Sequence, residues 1–300
     1  MTIEPLLKIN SDSGIPASQR HPSVRAFFTQ VGASSVYDDV VYEGQSIQME
    51  RSWLWVAGNI AELSSSHREK VMRSHGLTAE ELAAVADSAR ARYAALDAPR
   101  RQNPPFVESA EWMRVPLTGY PDFSVFQPYL DKILGHPAPD EFRTRHNFRA
   151  RINVPGFHVS TWFDIFLTSL PAAFTELQSR VGNQRLGIGP NGHYCVYEPN
   201  FWARDPYFEW FGHWLKGEHT KIMEKPAVFY SPRAWVEDSK HYVADDWRHS
   251  DRWPPAGTMQ RRLFLTGTGG LSANGPDDTK REAIPAIPTI RYPLWAGAIC

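Results

Sequence analysis

Two polar residues, each released just past a short apolar run, are the groups in this chain best spaced to do chemistry. The first is Asp164, closing Gly156-Phe157-His158-Val159-Ser160-Thr161-Trp162-Phe163-Asp164. The second is His193, following Gln184-Arg185-Leu186-Gly187-Ile188-Gly189-Pro190-Asn191-Gly192. A carboxylate and then an imidazole at successive strand ends match the last two members of a Ser–Asp–His triad. There the imidazole takes a proton from the nucleophile, and the carboxylate orients the ring and stabilises it once charged. The nucleophile needs a strained turn of Gly-x-Ser-x-Gly type, and no such stretch occurs in the 300 residues. Each residue also has a plainer reading. A strand-end Asp can serve as the N-cap of the next helix, and a His in a Gly-containing loop can simply be solvated.

Other groups are weaker candidates. Gly32-Ala33-Ser34-Ser35-Val36 follows a strand and makes Ser34 a partial match to a nucleophile turn, but it lacks the second Gly. A side chain there would crowd the tight strand–helix contact, so a polar loop is the competing reading. His213, Glu218 and His219 do not have the His-Glu-x-x-His spacing of a helical zinc site. Cys195 stands two residues from His193, and a Cys–His pair can be nucleophilic, but a small buried Cys is the simpler reading. Gly267-Thr268-Gly269-Gly270 precedes no helical pattern and reads as a β-turn, not a dinucleotide loop.

The elements around these residues read as follows. Val24–Thr29 is a strand. Residues 35–144 are mostly helical, with candidates at Gly44–Leu63, after Leu77, and at Val125–Leu134. Thr78 and Glu81 make a capping box, and Leu82, Val85, Ala86, Ala89 and Tyr93 follow at helical spacing. Pro99–Pro121 is an irregular connection. A βαβα pattern comes next. Phe163, Phe166, Leu167, Leu170, Phe174 and Leu177 repeat at helical spacing after the first strand. Asp205-Pro206 opens the second helix and Gly217 closes it. This alternation predicts a parallel sheet, whose ligands bind beyond the carboxyl ends of the strands. From Lys225 on, short strand candidates at Ala227–Tyr230, Lys240–Val243 and Arg262–Leu265 predict an all-β region.

Composition narrows the partners. Net charge is −1 from 32 basic and 33 acidic residues, without a basic stripe, which argues against nucleic acid and anionic membranes. No run approaches the length of a membrane span. Two cysteines, Cys195 and Cys300, make no disulfide framework, and the N-terminus lacks the pattern of a signal peptide. Both point to a cytoplasmic protein. An apolar fraction of 42% is enough for sizeable cores.

Several ordered motifs together are similar to one family. His21-Pro22-Ser23-Val24-Arg25-Ala26 resembles its strand after the nucleophile helix. Val36-Tyr37-Asp38-Asp39 with Tyr42-Glu43-Gly44 resembles the start of its helical cap. Trp162-Phe163-Asp164-Ile165-Phe166 resembles its acid segment, and Leu186–Pro190 with His193 its base segment. Trp210–Gly217 resembles its last hydrolase helix, and Trp247 with Asp251-Arg252-Trp253-Pro254-Pro255 the opening of its C-terminal jelly roll. The chain thus resembles the X-Pro dipeptidyl-peptidase-like serine hydrolases, the group that includes cocaine esterase.

The resemblance implies an α/β fold: a partial α/β-hydrolase sheet with a helical cap insertion, followed by the start of an all-β jelly roll. It divides the chain at 1–34 and 145–222 for the hydrolase parts, 35–144 for the cap and 223–300 for the incomplete jelly roll. It assigns Asp164 as the orienting acid and His193 as the base. It implies acyl transfer to water from a small ester or short X-Pro peptide, with no metal or organic cofactor. It places the nucleophile near Leu7, where Met1–Asn10 holds no Ser; Ser11, Ser13 and Ser18 lie nearby without a preceding strand. Asn191 replaces the Trp common in the family's His loop. On this reading the chain is truncated at both ends, and Val24–Thr29 is an open sheet edge suited to homo-oligomerisation. The alternative is a catalytically inactive remnant that binds or scaffolds.

Overall fold

A computed structural model describes residues 17–35, 37–61, 65–98, 114–120, 122, 125, 128–190, 205–232, 234–236, 241–243, 247–266 and 270–275. His193, Asn191, Cys195, Cys300, Ser11 and Ser13 lie outside the described residues. The chain divides into two compact units, residues 1–253 and 254–300.

The first unit is built on a five-stranded sheet. In order across it, the strands are β1 (Phe27–Gln30), β2 (Gly156–Thr161), β3 (Gln184–Gly189), β4 (Val228–Tyr230) and β7 (Arg248–Ser250). The first four are parallel and β7 runs antiparallel to β4. Every residue of β2 and β3 is buried, as expected for parallel strands covered on both faces. The alternation of the strand sorts side chains between the faces. Phe28, Phe157, Val159 and Phe229 pack with Trp210 on one face. Leu186, Ile188 and Val228 pack with Phe174 on the other. Gly187 is required in β3 because the Phe229 ring of β4 lies across it; a Cβ there would stand 2.3 Å from that ring.

Two helices pack on this sheet, one on each face, and the others gather around a core of their own. We number the longer ones α1 (Met49–Ala61), α2 (Ser65–His75), α3 (Ala79–Asp97), α4 (Pro128–Leu134), α5 (Glu141–Arg145), α6 (Ser169–Arg180) and α7 (Pro206–Lys216). The capping box of α3 forms as expected: Thr78 Oγ1 accepts from Glu81 N and Glu81 accepts from Thr78 N. On α7, Asp205 caps Tyr207 N at 2.8 Å, Pro206 occupies the first turn, and Gly217 ends the helix at φ 67°. Trp210 of α7 is fully buried, and its indole donates to Phe27 O at 2.8 Å, tying the helix to β1. The helical region has its own core, in which Tyr37, Trp53, Leu82, Ala89, Leu96, Ile133 and Phe148 are buried.

Three segments depart from the sequence reading. Val24–Thr29 enters the sheet late: Val24–Ala26 carry no regular structure, and β1 runs Phe27–Gln30. Phe163 does not begin a helix: residues 162–168 form turns, and α6 starts only at Ser169, after Thr168. Val228–Tyr230, expected to open the all-β region, is the fourth parallel strand, its register set against Leu186–Ile188. Burial of Val228 on one face and Phe229 on the other makes it a core strand of the sheet. The first compact unit runs on through β7 to Trp253. Elsewhere in it, β5 (Ala234–Val236) and β6 (His241–Val243) form a two-stranded antiparallel sheet. In the second unit the described residues include one hairpin, β8 (Phe264–Leu265) with β9 (Leu271–Ser272).

Candidate active site at the carboxyl edge of the sheet

Because β1 to β4 are parallel, their carboxyl ends open on one edge, where such sheets bind ligands. Thr161 and Gly189 are register partners at the ends of β2 and β3. The chain leaves the sheet at the same level in both. Trp162 N still donates to Gly189 O at 3.1 Å as it does so. Asp164 follows Thr161 by three residues, and His193 follows Gly189 by four.

Asp164 sits in a hydrogen-bonded turn. Its own N donates to Thr161 O at 3.2 Å, its Oδ1 accepts from Phe166 N at 2.8 Å, and its carbonyl accepts from Leu167 N at 3.2 Å. The side chain therefore ties up a nearby backbone N–H and holds the chain in a turn ahead of α6, which is why α6 starts late. Asp164 is not the N-cap of α6, whose N-cap is Thr168. It is 8% exposed, while its neighbours Phe163 and Ile165 are 50% and 44% exposed. An apolar groove of about 340 Å³ adjoins this turn, walled by Trp162, Leu167, Pro171, Ala172 and Trp253.

Ser34, the partial nucleophile candidate, lies past the end of β1 on the same edge and is buried. Its hydroxyl lies 3.0 Å from Asp39 Oδ2, to which it donates, and 3.3 Å from Ser169 Oγ. No helix begins at Ser34; a π-helical turn spans Tyr37–Val41 instead. Ser34 is thus held by a carboxylate and a hydroxyl, without the strand–turn–helix setting of an elbow. Ser18 is also buried, far from any strand end in sequence. His213 stacks edge-on against Trp214 at 4.9 Å, and Glu218 pairs with Lys216 at 3.6 Å. Among the described residues no group of three or more His, Cys, Asp or Glu is placed to hold a metal ion.

One constellation here has no counterpart in the sequence reading. Asp39 Oδ2 accepts four hydrogen bonds: from Ser34 N and Ser35 N at 2.7 Å, Ser34 Oγ at 3.0 Å and Ser169 Oγ at 2.6 Å. Glu43 Oε1 accepts from Thr168 Oγ1 at 3.1 Å. Both carboxylates thus grip adjacent residues at the end of the Asp164 turn. Asp39 is buried with Tyr37 and Val41 in the π-helical turn, and the sequence carries no sign of which of Asp38 and Asp39 points inward. Arg51 reaches the same place from α1. Burial pushes its guanidinium below the usual arginine value, and Glu43 first, then Asp39 and Asp164, pull it back.

The first unit also holds a buried titratable group away from this edge. His158 on β2 is wholly enclosed, with Nε2 3.0 Å from Gln184 Oε1 and Nδ1 without a partner. Burial pushes its pKa down to about 4, against a smaller opposing effect of Gln184. It is a neutral core residue. Among the described residues no helix is long and apolar enough to cross a membrane.

Comparison with known proteins places this geometry. Two crystal structures of a CocE/NonD family hydrolase from Staphylococcus aureus are similar in fold. Each is 14% identical and matches 86% of this chain, with TM-scores of 0.49 and 0.50. This chain spans 36% and 35% of the length of those proteins. No curated protein matches the sequence. The sequence model of the X-Pro dipeptidyl-peptidase (S15 family) matches residues 14–195, more than half of the chain. With a mostly parallel, partial α/β-hydrolase sheet and a family model that matches more than half of its length, the chain belongs to the X-Pro dipeptidyl-peptidase (S15) family.

Proposed function

We propose that this chain supplies the acid and the base of a serine hydrolase that transfers an acyl group from an ester or an X-Pro peptide bond to water. One observation carries the reading: β2 and β3 end in register, so that the segments bearing Asp164 and His193 leave the same edge of the sheet at the same level. His193 takes the proton of the attacking serine and returns it to the leaving group. Asp164 orients the imidazole and stabilises it while it is charged. A second cycle with water releases the acid product. The serine itself sits on a Gly-x-Ser-x-Gly turn that these 300 residues do not contain. The aromatic walls of the groove beside the Asp164 turn suit an apolar acyl group or a proline ring. The helical region serves as the cap over this edge, and the second unit opens a jelly roll.

Among the described residues β1 pairs only with β2, so a copy of the chain can add at this edge. Light scattering after size exclusion is expected to show an oligomer, and a sharply melting monomer would refute that part of the reading.

The activity is tested with a fluorophosphonate probe, p-nitrophenyl acetate and Gly-Pro-p-nitroanilide. The purified chain is expected to be unlabelled and inactive. Co-expression with a family segment carrying the strand and elbow is expected to restore labelling and hydrolysis, and Asp164→Ala or His193→Ala to abolish them. Labelling of the chain alone at Ser34 or Ser18 would overturn the assignment. Failure of any elbow segment to restore activity would favour a non-catalytic binding protein.

A further inference from the structure

We propose that Arg51 is a positioning residue for the acid: it arranges the two carboxylates that hold the end of the Asp164 turn. The inference rests on the reading of Asp164 as the orienting acid. Arg51 Nη2 donates to Val40 O at 2.6 Å and Asp39 O at 3.4 Å, and Nε donates to Val40 O at 3.1 Å. Nη1 donates to Glu43 Oε2 at 3.4 Å. One planar fork thus fixes the backbone that presents Asp39 and, from its other side, the Glu43 carboxylate.

Each of these carboxylates spends its other contacts on the acid turn or beside it. Glu43 takes Thr168 Oγ1, and Asp39 takes Ser169 Oγ together with Ser34 and Ser35. Ser169 N in turn donates to Phe166 O at 3.1 Å, and Phe166 N donates to Asp164 Oδ1. A series of hydrogen-bonded residues therefore runs from Arg51 on α1 through Asp39, Ser169 and Phe166 to the acid's own carboxylate. A lysine cannot replace the fork, because a single ammonium cannot serve the two carbonyls and the carboxylate in one plane. A group argued to orient an imidazole has to be held to a fraction of an ångström, and this clasp does so from outside the sheet.

The test is the titration of the His193 ring followed by ¹⁵N NMR in the full chain, its signals identified by their loss in His193→Gln. Wild type, Asp164→Asn, Arg51→Met and Arg51→Lys are compared, each checked by a thermal melt. Loss of the orienting carboxylate in Asp164→Asn is expected to lower the midpoint. Arg51→Met and Arg51→Lys are expected to lower it by at least half of that amount. The sign is decisive, because removing a nearby cation without disturbing Asp164 would raise the midpoint. A midpoint raised or unmoved in Arg51→Met overturns the proposal and leaves the reading of Asp164 standing. An unmoved midpoint in Asp164→Asn defeats both. If Arg51→Met does not fold, the double variant Thr168→Val, Ser169→Ala decides: a lowered midpoint supports the clasp and an unchanged one overturns it.

Discussion

Ser34 and Asp164 invite comparison. Each stands a few residues past the carboxyl end of one of two neighbouring parallel strands, and each is buried. At Ser34 the hydroxyl is enclosed by a carboxylate and a second hydroxyl, and the chain turns away into the helical region. At Asp164 the carboxylate closes its own turn, flanked by exposed Phe163 and Ile165 and next to an apolar groove. The difference shows how similar sequence positions acquire different work. Ser34 is a fastener for Asp39, whereas Asp164 is presented at the edge by what Asp39 fastens.

That contrast can be broken from the Asp39 side most forcefully. Asp39→Ala removes the acceptor of four buried donors, and the melt in denaturant is expected to show a loss of about 4 kcal/mol. A change below about 1 kcal/mol would show that these bonds are readily replaced by water. Next in size is an effect of pH that should be indifferent to the carboxyl edge. His158 has its pKa depressed to about 4 in the folded chain, against about 6.5 when unfolded, so folding disfavours its protonation. Its contribution is full above the unfolded value and is lost as the pH falls toward 4. The loss amounts to about 3 kcal/mol over that window. In His158→Leu this part of the pH dependence is expected to vanish, and a slope like that of wild type would contradict the assignment.

Smaller effects sharpen the comparison. Gly187→Ala drives a Cβ into the Phe229 ring and is expected to cost about 2 kcal/mol by overpacking, with the Asp164 turn unaffected. Ser34→Ala removes one of the donors to Asp39 and is expected to cost about 1 kcal/mol, leaving the His193 titration in place. Asp164→Asn keeps an oxygen for Phe166 N and is expected to cost under about 1 kcal/mol while lowering the His193 midpoint. If Ser34→Ala moved that midpoint and Asp164→Asn did not, the roles drawn for the two residues would be reversed.

Much of this was legible before the structure because it is local. The capping box at Thr78 and Glu81 and the Asp205-Pro206 start with the Gly217 stop each depend on residues within one helix. The strand end before Asp164 is legible for the same reason, since a short apolar run followed by a polar residue marks it. What was illegible depends on partners distant in the chain. β4 has three residues and reads as a strand of any sheet until its register with Leu186–Ile188 is known. The late start of α6 is hidden because Phe163 and Phe166 keep helical spacing, while the Asp164 side chain bonds Phe166 N and favours a turn. The Asp39 clasp joins residues 34, 35, 39 and 169, a convergence that no spacing rule reveals.

The central claim is that Asp164 and His193 form one hydrogen-bonded pair, and proton NMR of the imidazole N–H tests it most directly. An Nδ1–H held by a carboxylate is shielded from exchange with water and resonates far downfield of ordinary histidine signals. The account predicts such a resonance in the purified chain, lost in His193→Gln and lost or moved upfield in Asp164→Asn. A resonance that persists unchanged in Asp164→Asn, or a wild-type spectrum without one at low temperature, would contradict the pairing.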